Sequence, residues 1–103
     1  MIQFTDVPVT ITMPGYKMTT AHDIHVSFEQ GGEVVFDIEN VQVFDDETIF
    51  CRISQEQSGM LNTKEVAKCQ INWFDEDGYR SATPQKRITV TPNMLGRVIY
   101  GNS

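Results

Sequence analysis

The clearest structural signal in the chain is the stretch EVAKCQINWF at residues 65–74. A period of two places alternate side chains on opposite faces of a β-strand, so that one face is buried and the other is solvated. The stretch therefore predicts a strand with one buried face and with Trp73 as a core residue. Its apolar residues at alternate positions are Ala67, Cys69, Ile71 and Trp73.

The same alternation recurs in shorter stretches along the chain. Turn residues separate these stretches, and the two on either side of Gly31-Gly32 are spaced to form a β-hairpin. Pro8 removes a backbone donor from the first stretch, which predicts a strand at a sheet edge. The predicted inward-facing residues are Val7, Val9, Ile11 and Met13; Ile24, Val26 and Phe28; Val34, Phe36 and Ile38; Val41 and Val43; Ile49, Cys51 and Ile53; and Ile88 and Val90.

A helix-capping pattern lies at Ser54 to Gln57. The Ser54 hydroxyl would accept a hydrogen bond from the backbone N–H of Gln57, whose side-chain amide would reach back to the backbone of Ser54. The pattern predicts one short helical turn near residues 55–61, which is too short to be stable without packing against the sheets.

These elements predict an all-β domain, an antiparallel β-sandwich of immunoglobulin-like size with about seven or eight short strands. A small barrel is the alternative architecture. We assign the sandwich to residues 1–91 and an apolar tail to residues 92–103. The tail packs either on its own domain or on a neighbouring molecule, and the sequence leaves both open. Its candidate interface residues are Leu95, Arg97, Val98, Ile99 and Tyr100.

Composition argues against several classes of protein. The formal net charge is −6, and an acidic surface repels phosphate backbones, so we expect no nucleic-acid partner. No apolar run is long enough to cross a membrane as a helix, so we expect no membrane association. The opening residues lack a basic segment followed by an apolar one, so we expect no secretory signal.

The sequence also carries no pattern that indicates catalysis or metal binding. Cys51 and Cys69 are expected to be small buried hydrophobes in a reducing compartment. A structural metal site needs about four ligands, and only His22 and His25 could join the cysteines, so we expect none. The acidic run from Asp75 lacks the ligand spacing of a calcium loop. We therefore expect no catalytic residue and no cofactor.

Charge is distributed unevenly along the chain. Residues 29–56 contain eight acids and one base, whereas residues 80–103 contain four bases and no acid. The two regions could pair across strands within one fold, or match between copies in a head-to-tail assembly. The sequence alone does not distinguish these alternatives.

Several short motifs resemble a poorly characterised family of small structural proteins from phages and prophages of gut Gram-positive bacteria, encoded near tail and baseplate genes. The motifs span nearly the whole chain. They are Val26-Ser27-Phe28, Ser54-Gln55-Glu56, Gln70-Ile71-Asn72-Trp73, Asp77-Gly78-Tyr79-Arg80-Ser81-Ala82, and Asn93-Met94-Leu95 followed by Val98-Ile99.

The resemblance implies a non-enzymatic virion protein of the tail, baseplate, neck or head surface, assembled in the host cytoplasm. Its partners would be other phage structural proteins or copies of itself, and in the second case the protein would be a homo-oligomer. Two alternatives come from other classes. One is a receptor- or carbohydrate-binding module that uses Tyr16, Phe74 and Tyr79 as stacking rings, and the other is a small regulator that binds a host protein.

Overall fold

A computed structural model describes residues 1–100 of the chain. Residues 101–103, the end of the predicted tail 92–103, lie outside the described residues. The elements in chain order are β1 (Val7–Thr12), a 3₁₀ turn (Met18–Thr20), β2 (His22–Gln30), β3 (Glu33–Ile38), β4 (Gln42–Asp45), β5 (Thr48–Ile53), α1 (Gln55–Met60), β6 (Ala67–Phe74), β7 (Arg80–Ala82) and β8 (Lys86–Ile88).

The strands form two antiparallel sheets. The smaller sheet has the order β1-β5-β4. The larger sheet has the order β3-β2-β6-β7, and β8 pairs with β6 beside β7. The predicted antiparallel β-sandwich is therefore confirmed, with β1 at a sheet edge as Pro8 indicated. The architecture is immunoglobulin-like in having two layers and in its size. Within the larger sheet, β2 lies between β3 and β6.

The core lies where the inward faces of the two sheets meet. The predicted inward residues of β6 are all buried, and so are the three predicted for β5. Phe28 of β2 stacks on Phe36 of β3 with ring centroids 4.7 Å apart. The rings of Trp73 and Tyr16 pack edge to face, with centroids 5.1 Å apart. Aromatic pairs of this kind contribute stability beyond the apolar area that they bury.

The predicted helical turn is confirmed as α1. The Ser54 hydroxyl accepts from the backbone N–H of Gln57, and the side-chain oxygen of Gln57 accepts from the backbone N–H of Ser54. Leu61, just after the helix, is fully buried and ties it to the core. Ser58 is buried as well, and its hydroxyl binds both the backbone N–H and the carbonyl of Thr5.

The outer edge of β6 is shared by two short strands with a break between them. β7 pairs with the end of β6 and β8 pairs with its start. In the break, the Thr83 hydroxyl accepts from the backbone N–H of Ile71 and the Thr83 carbonyl accepts from the Gln70 side chain. Pro84, which has no N–H to donate, follows directly.

We expect Phe28→Ala to lower the free energy of unfolding by about 3–5 kcal/mol, because it removes a stacked ring from a site that is 1% exposed. Val34→Ala on the neighbouring strand is the control, since Val34 is 63% exposed and its loss costs little. Urea unfolding monitored by tryptophan fluorescence measures the free energy of unfolding of both variants. Equal losses for the two variants would contradict the packing described.

We expect neither cysteine to react with a thiol reagent in the folded protein. Burial raises the pKa of the Cys51 thiol, and burial together with the nearby Cys51 raises the pKa of Cys69 to about 11. Since the thiolate is the reactive form, both groups stay inert near neutral pH. Ellman's reagent measures this, and both thiols should react once urea unfolds the chain. Rapid labelling of the folded chain would contradict the prediction.

Candidate functional site

A group of closely spaced ionisable side chains lies on the outer face of the larger sheet, around His25 of β2. The Nδ1 atom of His25 lies 2.6 Å from Oδ2 of Asp37 on β3 and 3.9 Å from Oε1 of Glu39, just beyond that strand. The Ser27 hydroxyl donates to the other oxygen of Asp37 at 3.1 Å. We call His25, Asp37 and Glu39 the histidine–carboxylate cluster.

The register of β2 against β3 brings this cluster together. Gln30 pairs with Glu33 across the Gly31-Gly32 turn, and both glycines have the positive φ that such a tight turn needs. The register then shifts between Phe28 and Glu29, so that Ser27 lies opposite Asp37. Continuing this register places His25 opposite Glu39.

A second irregularity shapes β2 next to the cluster. Its pairing with β6 shifts between His22 and His25, and Asp23 in this segment has a positive φ of 50°. Beyond the bulge His25 pairs with Asn72 of β6. A bulge redirects the side chains that follow it, which is why bulges often lie beside functional sites.

The carboxylates around His25 favour its protonated form. The hydrogen bond to Asp37 raises the pKa of His25 above its ordinary value of 6.5. Burial opposes this increase, and the negative charges of Asp37, Glu39 and Asp23 add to it. The protonated ring and the carboxylates therefore form a charge-assisted pair at the surface.

A shallow cavity of about 260 Å³ opens beside the cluster toward β6 and β7. Its far wall holds Arg80, whose guanidinium donates to the side-chain oxygen of Asn72 at 3.2 and 3.3 Å. Phe74, which is 40% exposed, adds an aromatic ring. The cavity thus combines cationic, anionic and amide groups with one apolar surface.

A larger apolar groove of about 670 Å³ runs between β1 and the β8 edge of the larger sheet. β1 pairs with β5 on one side only, so within residues 1–100 its other edge has no strand partner. The groove walls include Val9 and Ile11 from β1 and Pro84, Lys86 and Ile88 from the opposite side.

The tail residues proposed from the sequence lie partly against the domain. The Gln55 side chain of α1 makes two hydrogen bonds with the backbone of Ile99, at 2.7 and 2.8 Å. Leu95, Ile99 and Tyr100 nevertheless keep exposed side chains. The Arg97 guanidinium donates to the Val98 carbonyl at 3.4 Å.

The other features singled out from the sequence do not join the cluster. The acidic run from Asp75 forms a turn in which the Asp75 carboxylate accepts from the backbone N–H groups of Asp77 and Tyr79. The Tyr16 ring packs on Trp73, whereas the Tyr79 ring is exposed to solvent.

The histidine–carboxylate cluster was missed at the sequence level, although a signal for it exists. In an antiparallel pair, two directly opposite residues point to the same face of the sheet. If the Gly31-Gly32 turn alone set the register, Val26, which faces inward, would lie opposite an outward-facing residue of β3. A one-residue bulge is required to pair Val26 with Ile38, and the same shift places Asp37 and Glu39 beside His25.

Comparison with known proteins adds no family assignment: no family model matches the chain, and no curated protein matches it significantly. Within the described residues no helix has the length and hydrophobicity needed to cross a membrane.

We expect Asp37→Asn to lower the pKa of His25, because the variant loses the charge that favours the imidazolium form. Since the folded-state pKa is raised, the stabilisation from this pair is fully present below pH 6.5 and is lost as pH rises through the folded-state pKa. An NMR titration of the His25 ring measures the shift. Glu56→Gln on α1 is the control, and an unchanged His25 pKa in Asp37→Asn would contradict the prediction.

Proposed function

We propose that the protein is a non-enzymatic structural protein of a bacteriophage particle, in the tail, baseplate, neck or head surface, and that it assembles head to tail through the two edges of its larger sheet. The motifs described above support the phage context. The observation that carries the assembly mode is the opposite charge of the two sheet edges.

The acidic edge is formed by β3 and the residue that follows it. It carries Glu33, Asp37 and Glu39, all exposed to solvent. β3 pairs only with β2 among the strands of residues 1–100, so its outward backbone groups have no strand partner there. An edge of this kind is a template for pairing with another chain.

The basic edge lies on the other side of the same sheet. It is formed by β7 and β8 and carries Arg80, Lys86 and Arg87, which are also exposed. Three strand spacings separate the two edges, about 14 Å in the hydrogen-bonding direction. Because the edges are different surfaces, their contact is heterologous and repeats from copy to copy as a ring or a filament.

Pairing of the two charged regions within one molecule does not explain them. Across residues 1–100, the ion contacts are those of His25 with Asp37 and Glu39, and of Arg52 with Asp6. None of these contacts joins an acid of residues 29–56 to a base of residues 80–100. Glu33 on the acidic edge and Lys86 and Arg87 on the basic edge take part in none of these contacts, so their charges are available to a neighbouring copy.

Apolar surface next to both edges would add to the charge attraction. Val34, on the acidic edge, is 63% exposed. The apolar groove adjoins the basic edge through Lys86 and Ile88. In a head-to-tail contact the acidic edge of one copy would bring Val34 toward this groove, while the charges set the orientation.

Charge reversal tests the assembly mode. We expect Glu33→Lys alone and the pair Lys86→Glu with Arg87→Glu alone to abolish self-association, since each creates a like-charge contact. A mixture of the two variants should associate again because opposite charges then meet. Analytical ultracentrifugation measures this at about 0.05 M salt, and about 0.5 M salt should weaken the wild-type assembly.

Lys64→Glu, in the loop before β6, is the matched control and should leave self-association unchanged. A wild-type chain that stays monomeric at all concentrations, or an assembly insensitive to both reversals, would contradict the head-to-tail mode. Mass spectrometry of purified phage particles tests the wider proposal, which requires the protein in many copies per particle. Its absence from particles would reject the structural role.

A second candidate is carbohydrate binding at the shallow cavity, favoured by the exposed Phe74 ring beside Asn72, Asp37 and Arg80. Sugars bind by stacking on a ring and by hydrogen bonds to such planar polar groups. A glycan array distinguishes the candidates, since only this one predicts hits that Phe74→Ala removes.

A further inference from the structure

The histidine–carboxylate cluster offers three metal-binding donors from one side of the sheet. One ligand atom each from His25, Asp37 and Glu39 lies within 4.8 Å of the other two. Around a tetrahedral zinc ion, with bonds of about 2.1 Å, neighbouring donors lie about 3.4 Å apart. The distances of 2.6 and 3.9 Å from Nδ1 of His25 to the two carboxylates bracket that value.

The strands hold two of these donors in place. His25 lies within β2 and Asp37 within β3, so the sheet fixes their backbones. The Ser27 hydroxyl donates to the carboxylate oxygen of Asp37 that faces away from His25. A hydrogen bond of this kind orients a metal-binding carboxylate. The other oxygen of Asp37 pairs with Nδ1 of His25, and both atoms can reach an ion once that nitrogen gives up its proton.

The cluster is open to solvent on its outer side. About one third of the side-chain surface of His25 and of Asp37 is exposed, and Glu39 is mostly exposed. The adjoining cavity has room for water molecules that complete a coordination shell. An ion can therefore enter without any opening of the fold.

We propose that His25, Asp37 and Glu39 bind one zinc ion on the outer face of the β2–β3 hairpin, with water completing the coordination. One imidazole with two carboxylates suits zinc and related divalent transition metals. Calcium and magnesium prefer sites built from oxygen donors alone. A monomer contains all three donors, and because Asp37 and Glu39 also belong to the acidic edge, a bound ion would offset part of the charge that the head-to-tail contact uses.

Isothermal titration of the metal-free chain with zinc chloride, in salt that suppresses self-association, tests the proposal. We expect one ion per chain. His25→Gln and Asp37→Asn should each weaken binding by about 100-fold or more, because each removes a direct donor. Ser27→Ala should weaken it about tenfold, since Ser27 acts only by orienting Asp37.

His22→Gln is the matched control, because His22 lies on the same strand and is exposed but pairs with Phe74. It should leave the zinc affinity unchanged. Absence of saturable binding, or binding of unchanged affinity in His25→Gln, would overturn the proposal.

A second measurement locates the ion without any substitution. Zinc chloride added to isotope-labelled wild-type protein should shift the NMR signals of His25 and Asp37 first. Earlier shifts at the acidic turns near Asp46 or Asp75 would show that zinc binds at another carboxylate group, which would also overturn the assignment.

Discussion

The pairing of β2 with β6 holds the larger sheet together. Within the described chain β3 attaches to the sheet only through β2, and β7 and β8 attach only through β6. Without this one pairing the sheet would separate into small hairpins, which are marginally stable in water. The same pairing keeps the acidic and basic edges on opposite sides and fixes His25 beside Asn72.

The inward faces of the strands were predictable because burial imposes a period of two on every strand that covers the core. Cys51, Cys69 and Trp73 are buried as their alternation indicated. Val34 departs from the pattern: it was expected to face inward and is largely exposed, because the bulge in the β2–β3 hairpin shifts the strand there. A periodic pattern shows which residues share a face and does not show where a strand gains an extra residue.

The candidate site was less accessible to sequence reasoning, because it depends on which strands are neighbours. The Gly31-Gly32 turn predicted that β2 and β3 pair, and the inward residues of these strands required the register that joins His25 to Asp37. The placement of β6 beside β2 is different, because a long segment that includes β3, β4, β5 and α1 separates them in the chain. No local pattern encodes that contact, so the pairing of His25 with Asn72 and the position of Arg80 across the cavity became visible only in the fold.

The break at Thr83 and Pro84 limits what can add to that side of the sheet. An uninterrupted edge accepts almost any extended chain, which is the usual origin of amyloid-like aggregation. Here a visiting strand meets two short runs of backbone groups with a gap between them, and the Thr83 hydroxyl already occupies the amide of Ile71. The kinked border thus offers an added strand two short runs of backbone groups in place of one continuous edge, which disfavours non-specific strand addition on this side.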